Sequence, residues 1–114
     1  MSYDVRLVHP ETGDTLPASE RVFGGGTYPV GGRDDCCFNI TYNYSQVFGP
    51  LVHHLNDRTA ADTLPALLAF VDMWPDARPY ERDYWAPTPG NAKKAVEQLI
   101  VFARVHPNGV WVVS

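Results

Sequence analysis

Alternating apolar and polar side chains mark Tyr3 to Val8 as a strand, because successive strand residues face opposite sides of a sheet. His9-Pro10-Glu11-Thr12-Gly13-Asp14 is dense in turn formers and predicts a hairpin. Its return strand falls within residues 15–23 and is weakened by Pro17. The stretch Gly24 to Gly32 has high backbone freedom and few side chains, which predicts a long loop or an irregular edge. It contains neither G-x-x-x-x-G-K-[ST] nor G-x-G-x-x-G, so a flexible connection is preferred over a phosphate cradle. The clearest strand is Cys36 to Tyr44. Phe38, Ile40, Tyr42 and Tyr44 share its core face, and Cys37, Asn39, Thr41 and Asn43 share the other.

Helical spacing follows. Val47, Phe48, Leu51, Val52 and Leu55 predict a helix over 45–55, bent or split at Gly49-Pro50. After a break at Asn56-Asp57-Arg58, Thr59 and Asp62 resemble a cap for an apolar helix over 60–74, with Pro65 tolerated in its first turns. Four prolines make 75–89 a loop. Thr88 then caps the best helix, with Pro89 as its first residue. Ala92, Ala95, Val96, Leu99, Phe102 and Ala103 form its buried stripe, with Lys93, Lys94, Glu97 and Gln98 outside. His106-Pro107-Asn108-Gly109 is a tight turn, and Val110 to Val113 is a closing strand. The order predicts an α+β fold: a small antiparallel or mixed β-sheet with about three helices packed on one face.

A chain of 114 residues makes a single domain, 1–114, and 45% hydrophobic residues suffice to fill one core. The net charge is −4 with scattered basic residues, which argues against nucleic acid as a partner. Cys36 and Cys37 are adjacent, a spacing that suits neither an unstrained disulfide nor zinc. They read as reduced thiols of an intracellular protein. The N-terminal residues carry no apolar run of the signal-peptide kind, and the longest apolar run, Leu64 to Val71, is too short to span a bilayer. No membrane partner is expected, and the cytoplasm is the expected location.

Two places could bind a ligand. Asn39, Thr41 and Asn43 form a ladder of donors and acceptors about 7 Å apart per step, able to read the polar edge of a base, sugar or peptide. The same row could instead be solvated, or could pin the glycine-rich loop. The helix start at Thr88, Gly90 and Asn91 offers free N–H groups to a phosphate or carboxylate, with Lys93 and Lys94 one turn in. Ordinary capping by Thr88 explains that motif equally. Tyr28, Tyr84 and Trp85 lie in loops, where aromatics plug a core edge or stack on a ligand.

Signals for catalysis are thin. His53-His54 are neighbours rather than i,i+4 partners, so no metal site is expected, and no cofactor is implied. Asp34, Asp35 and Asp83 show no partner as bases, and no G-x-S-x-G nucleophile motif is present. No catalytic residue is assigned, and a small hydrolase is the weakest reading.

The runs Phe38 to Ser45, Asp83 to Ala92 and His106 to Trp111 resemble a family of small uncharacterised proteins from bacteriophages and bacteria. The resemblance extends from the Gly-Gly-Thr-Tyr loop to the final strand, and no site residue carries over from it. It implies a phage accessory setting in the host-cell cytoplasm, where such proteins counter host defence by sequestering a signal molecule or blocking a host protein. With the chemistry above, the leading expectation is a non-catalytic binder of a small anionic or nucleotide-like ligand, possible as a homo-oligomer. The alternative is an inhibitor that docks on a host protein through the acidic loop Asp72 to Asp83, with Trp74 and Tyr80 as anchors.

Overall fold

The computed structural model describes residues 2–18, 27–29, 35–78, 83 and 86–114, with 27–29 described by backbone only. Four strands, β1 (Ser2–Val8), β2 (Thr27–Pro29), β3 (Cys37–Thr41) and β4 (Val110–Val113), pair in the order β2-β3-β1-β4. Every pairing is antiparallel. The helices are α1 (Ser45–Phe48), α2 (Leu51–Leu55), α3 (Ala60–Asp72) and α4 (Pro89–Val105). The fold is α+β, and the expected split at Gly49-Pro50 is complete. Gly49 takes a φ of 57°, in the left-handed region, and leaves α1 and α2 at about one turn each.

The second half of the first hairpin is slighter than expected. Thr15 makes only an isolated bridge to Val8, while Leu16 N–H donates to the Leu7 carbonyl at 2.9 Å. The Leu16 carbonyl in turn accepts from Cys36 N–H at 2.7 Å, so this residue joins the end of β1 to the start of β3. Residues 19–26 and 30–34, which hold the rest of the predicted return strand and most of the glycine-rich stretch, lie outside the described residues.

The predicted strand to Tyr44 ends three residues early. Thr41 Oγ1 accepts from Asn43 N–H at 3.2 Å and caps a 3-10 turn over Tyr42–Tyr44. A threonine hydroxyl that bonds two residues ahead offers the backbone an alternative to the ladder. Tyr44 still reaches the core, but through that turn and not along the strand.

Tyr3, Val5, Leu7, Phe38, Ile40 and Trp111 form the inner sheet face, and all are buried against the helices. Phe38 meets Phe102 of α4 edge-on at 6.2 Å between ring centres. All six stripe positions predicted on α4 are buried, but Gln98, predicted outside, is buried as well, together with Gly90, Asn91 and Ile100. With α3 along one flank and the sheet beneath, α4 is covered on more than one side, and one apolar stripe understates its burial.

β4 is an edge strand, and its free edge is closed by the segment after α2. Trp111 N–H donates to the Arg58 carbonyl and the Trp111 carbonyl accepts from Asp57 N–H, both at 2.9 Å. Val113 N–H donates to Asn56 Oδ1 at 2.9 Å. These bonds occupy groups that would otherwise template another chain. Asp57 reaches them with a φ of 65°, the one non-glycine residue at positive φ among those described.

Trp111 also enters the helical layer. Its indole N–H donates to Thr63 Oγ1 at 2.7 Å, and Thr63 passes its own proton to the Ala60 carbonyl at 3.0 Å. Thr63→Val keeps the shape and strands the buried indole N–H, and should cost about 1–3 kcal/mol in chemical denaturation. With Trp111→Phe already made, the same change should cost clearly less. Additive losses would show that the two side chains do not act together.

Tyr3 supplies a pH signature. Burial pushes its phenol above the ordinary tyrosine value, a hydrogen bond with Ser45 opposes the rise, and the Tyr42 phenol adds to it. A group whose folded value is raised stabilises the fold fully below its free-chain value and loses that contribution as pH climbs through the folded value. Stability should therefore fall above pH about 10, and Tyr3→Phe should flatten that limb in urea midpoints followed from pH 8 to 11. Parallel limbs for the two proteins would contradict the assignment.

Candidate functional site

The polar residues expected to read a ligand are largely occupied by the protein itself. Asn39 lies opposite Asp4 in the β1–β3 register and is buried. Its Nδ2 donates to Asp4 Oδ1 and to Ser2 Oγ, both at 2.7 Å. Thr41 is buried as the cap described above, and Asn43 is exposed on the 3-10 turn, off the strand face that holds Asn39. The three residues therefore do not form one ladder. Tyr28 sits opposite Asn39 in the backbone register of β2, but its side chain lies outside the described residues, as do Tyr84 and Trp85.

The start of α4 is filled. Thr88 caps it by accepting from Asn91 N–H at 3.3 Å. Asn91 is buried, and its Nδ2 donates back to the Ala86 carbonyl at 2.9 Å and the Asp83 carbonyl at 3.2 Å. Gly90 is buried because the chain at Arg78 passes directly over it. A Cβ there would overlap the Arg78 carbonyl. Lys93 is turned away from the helix start, its ammonium donating to the Trp74 carbonyl at 2.8 Å and the Pro75 carbonyl at 3.3 Å. That contact neutralises the negative end of α3. Lys94 is half-buried one residue further along α4.

An open concavity lies at the opposite end of α4. A cleft of about 370 Å³ separates the turn after β1 from the turn after α4. Its polar lining is His9, Glu11, His106 and Asn108, and Leu16 and Val105 add apolar wall beside a proline from each turn. Local chemistry builds both sides. The first turn closes where His9 N–H donates to the Asp14 carbonyl at 2.8 Å and Gly13 N–H to the His9 carbonyl at 2.9 Å, with Gly13 at a φ of 75°. The second closes where Gly109 N–H donates to the His106 carbonyl at 3.0 Å. Gly109 is required there, since a Cβ would stand 2.7 Å from the Leu7 side chain and 2.8 Å from that of Leu16. The carbonyls of Pro107 and Gly109 then accept from Ala61 and Ala60 N–H, which anchors the second turn to the start of α3.

Each imidazole is fixed by backbone. His9 Nδ1 accepts from Glu11 N–H at 3.1 Å and, more weakly, from Thr12 N–H at 3.4 Å. His106 Nε2 donates to the Pro17 carbonyl. From the sequence alone both residues read only as turn formers. The available signal was that the two turns begin alike, with His9-Pro10 and His106-Pro107. Their meeting across 97 positions is a tertiary fact that no local pattern contains. Among the described residues no set of three His, Cys, Asp or Glu side chains is placed to hold a metal ion.

Packing at the start of α4 is testable without a ligand. Gly90→Ala should force the Arg78 segment off the helix and lower stability by about 1–3 kcal/mol, the usual cost of overpacking. Asn91→Ala removes two donors from carbonyls at the loop end and should cost about 1–3 kcal/mol. Urea denaturation of either variant with a midpoint equal to the parent's would show that the loop does not depend on these contacts.

No protein-family model, no curated protein and no solved structure matches this chain, so the chemistry of the cleft rests on its own residues.

Proposed function

We propose that this domain is a non-catalytic binder of a small nucleotide-like molecule, held in the cleft between the two His-Pro turns. The observation that carries the reading is the cleft itself. Its volume of about 370 Å³ lies within the range of about 300–1,000 Å³ that small-molecule sites occupy. Its lining has the composition such sites share, apolar wall with a few polar groups on constrained backbone. A domain that holds such a molecule unchanged lowers its free concentration, and this is the sequestering role that a phage accessory setting would use.

A second reading keeps a specific observation behind it. Met73 is 66% exposed at the end of α3, next to half-buried Trp74 and between exposed Asp72 and Asp76. An exposed apolar side chain with an acidic residue on either side of it in the chain suits a blocking contact on a host protein.

Thermal unfolding in the presence of nucleosides and nucleotides separates the two. At a hundredfold excess over Kd a ligand stabilises the native state by about 2.7 kcal/mol, a rise of roughly 10 °C for a domain of this size. Val105→Trp should abolish the rise by filling the cleft from a position 39% exposed, where the new ring need not enter the core. No rise with any of these compounds at millimolar concentration would refute the small-molecule reading. Loss of binding to a purified host protein on Met73→Asp would support the second.

A further inference from the structure

We infer that the cleft reads the edge of a nucleobase, through one hydrogen-bond donor and one acceptor set by the two imidazoles, and leaves any phosphate outside. The inference rests on the cleft being the binding site, and it specifies which part of the ligand is recognised.

The roles of the two rings follow from their backbone bonds. A ring nitrogen that accepts an N–H carries no proton, so His9 Nδ1 is bare and the proton of the neutral ring is on Nε2. A ring nitrogen facing a carbonyl must donate, so His106 Nε2 is protonated and the lone pair of the neutral ring is on Nδ1. The nitrogens not held by backbone are thus a donor on His9 and an acceptor on His106, in two rings that line one cleft. The matching ligand group presents an acceptor beside a donor. A ring nitrogen next to an exocyclic amine does so, as does a lactam, and these are the edges of nucleobases. Apolar wall from Leu16, Val105 and the two prolines can cover the faces of such a ring.

Electrostatics exclude the phosphate. Glu11 lines the cleft, and the cleft adjoins the C-terminal end of α4, where the helix dipole is negative. The lysines of α4 stand in its first turns, and seventeen residues at about 1.5 Å each give the helix a length of roughly 25 Å. Lys93 is in addition committed to the end of α3. Arg104 in the last turn of α4 is exposed and is not among the residues lining the cleft, so the negatively charged part of a nucleotide gains little inside it and is better left in water.

Two substitutions delete the reading atoms and keep the anchors. His9→Asp retains an acceptor for the Glu11 and Thr12 N–H groups through an Asx turn and, being acceptor-only when ionised, removes the outward donor. His106→Lys retains a donor for the Pro17 carbonyl and, having no side-chain acceptor, removes the outward acceptor. Calorimetric titration with adenosine, purine riboside (which lacks the exocyclic amine) and adenosine monophosphate should give the tightest Kd for the nucleoside. Purine riboside should bind at least tenfold more weakly, and the monophosphate should be no tighter than adenosine. Each variant should weaken adenosine at least tenfold while unfolding at the parent temperature without ligand. Uridine and guanosine complete the set, and at least one nucleoside must bind. Nucleosides whose binding is abolished by Val105→Trp but unaffected by both histidine variants would overturn the base-reading inference and leave the cleft as the site. A monophosphate more than tenfold tighter than its nucleoside would overturn the exclusion of phosphate. Binding of N-acetylated dipeptide amides in place of every nucleoside would overturn the inference in favour of a peptide. Absence of any binding to the parent would instead refute the small-molecule reading on which it stands.

Discussion

Much of this fold is organised around the burial of one indole. Trp111 is fully buried on the edge strand and bonds in three directions: through its ring to Thr63 of α3, and through its backbone to Arg58 and Asp57 after α2. It also lies opposite Leu7 in the β1–β4 register. A tryptophan N–H taken out of water costs free energy when it is left without an acceptor, and the acceptor that Trp111 finds is itself a relay to the first turn of α3. This single residue fixes the sheet edge, the start of α3 and the turn between α2 and α3 relative to one another. Gly109 and its turn stand two residues before it, so one wall of the cleft inherits that rigidity.

The elements that could be read from the chain were those whose signals are local. Thr59 and Thr88 cap α3 and α4 because a threonine oxygen three residues before a free N–H can satisfy it, a signal contained in the few residues of the cap itself. Gly49-Pro50 breaks a helix for reasons contained in those two residues. Asn39 shows where such reasoning stops. Asparagine is depleted in strands, and from the sequence alone the donors and acceptors of Asn39 read as a place for a ligand. The structure instead shows a cross-strand pair with Asp4, whose carboxylate lies within reach only because of the register. Gln98 makes the same point from the helix side. Its polarity suggested water, but the packing of α3 and the sheet around α4 decided its burial.

The candidate site is a product of topology in the same way. Each His-Pro turn is legible alone, but the cleft exists because β1 and α4 end at the same side of the molecule. The antiparallel pairing of β4 beside β1 requires this, since the short turn leading into β4 must begin where β1 finishes. Leu16 closes the arrangement from below by bonding to both β1 and Cys36.

The two ends of α4 bear on which ligand class the proposed cleft would take. A helix start attracts anions, and on sequence grounds that end was the attractive place for a phosphate. The fold spends it internally: the Arg78 backbone lies on Gly90, Asn91 secures the preceding loop, and Lys93 caps α3. The open end is the other one, where the dipole is negative and Glu11 adds to it. A domain that closes its anion-attracting end and opens its anion-repelling end is suited to recognising the uncharged part of a molecule. For a nucleotide-like ligand that part is the base, and discrimination among such ligands then depends on hydrogen-bond pattern, which two histidines held in opposite tautomers can supply.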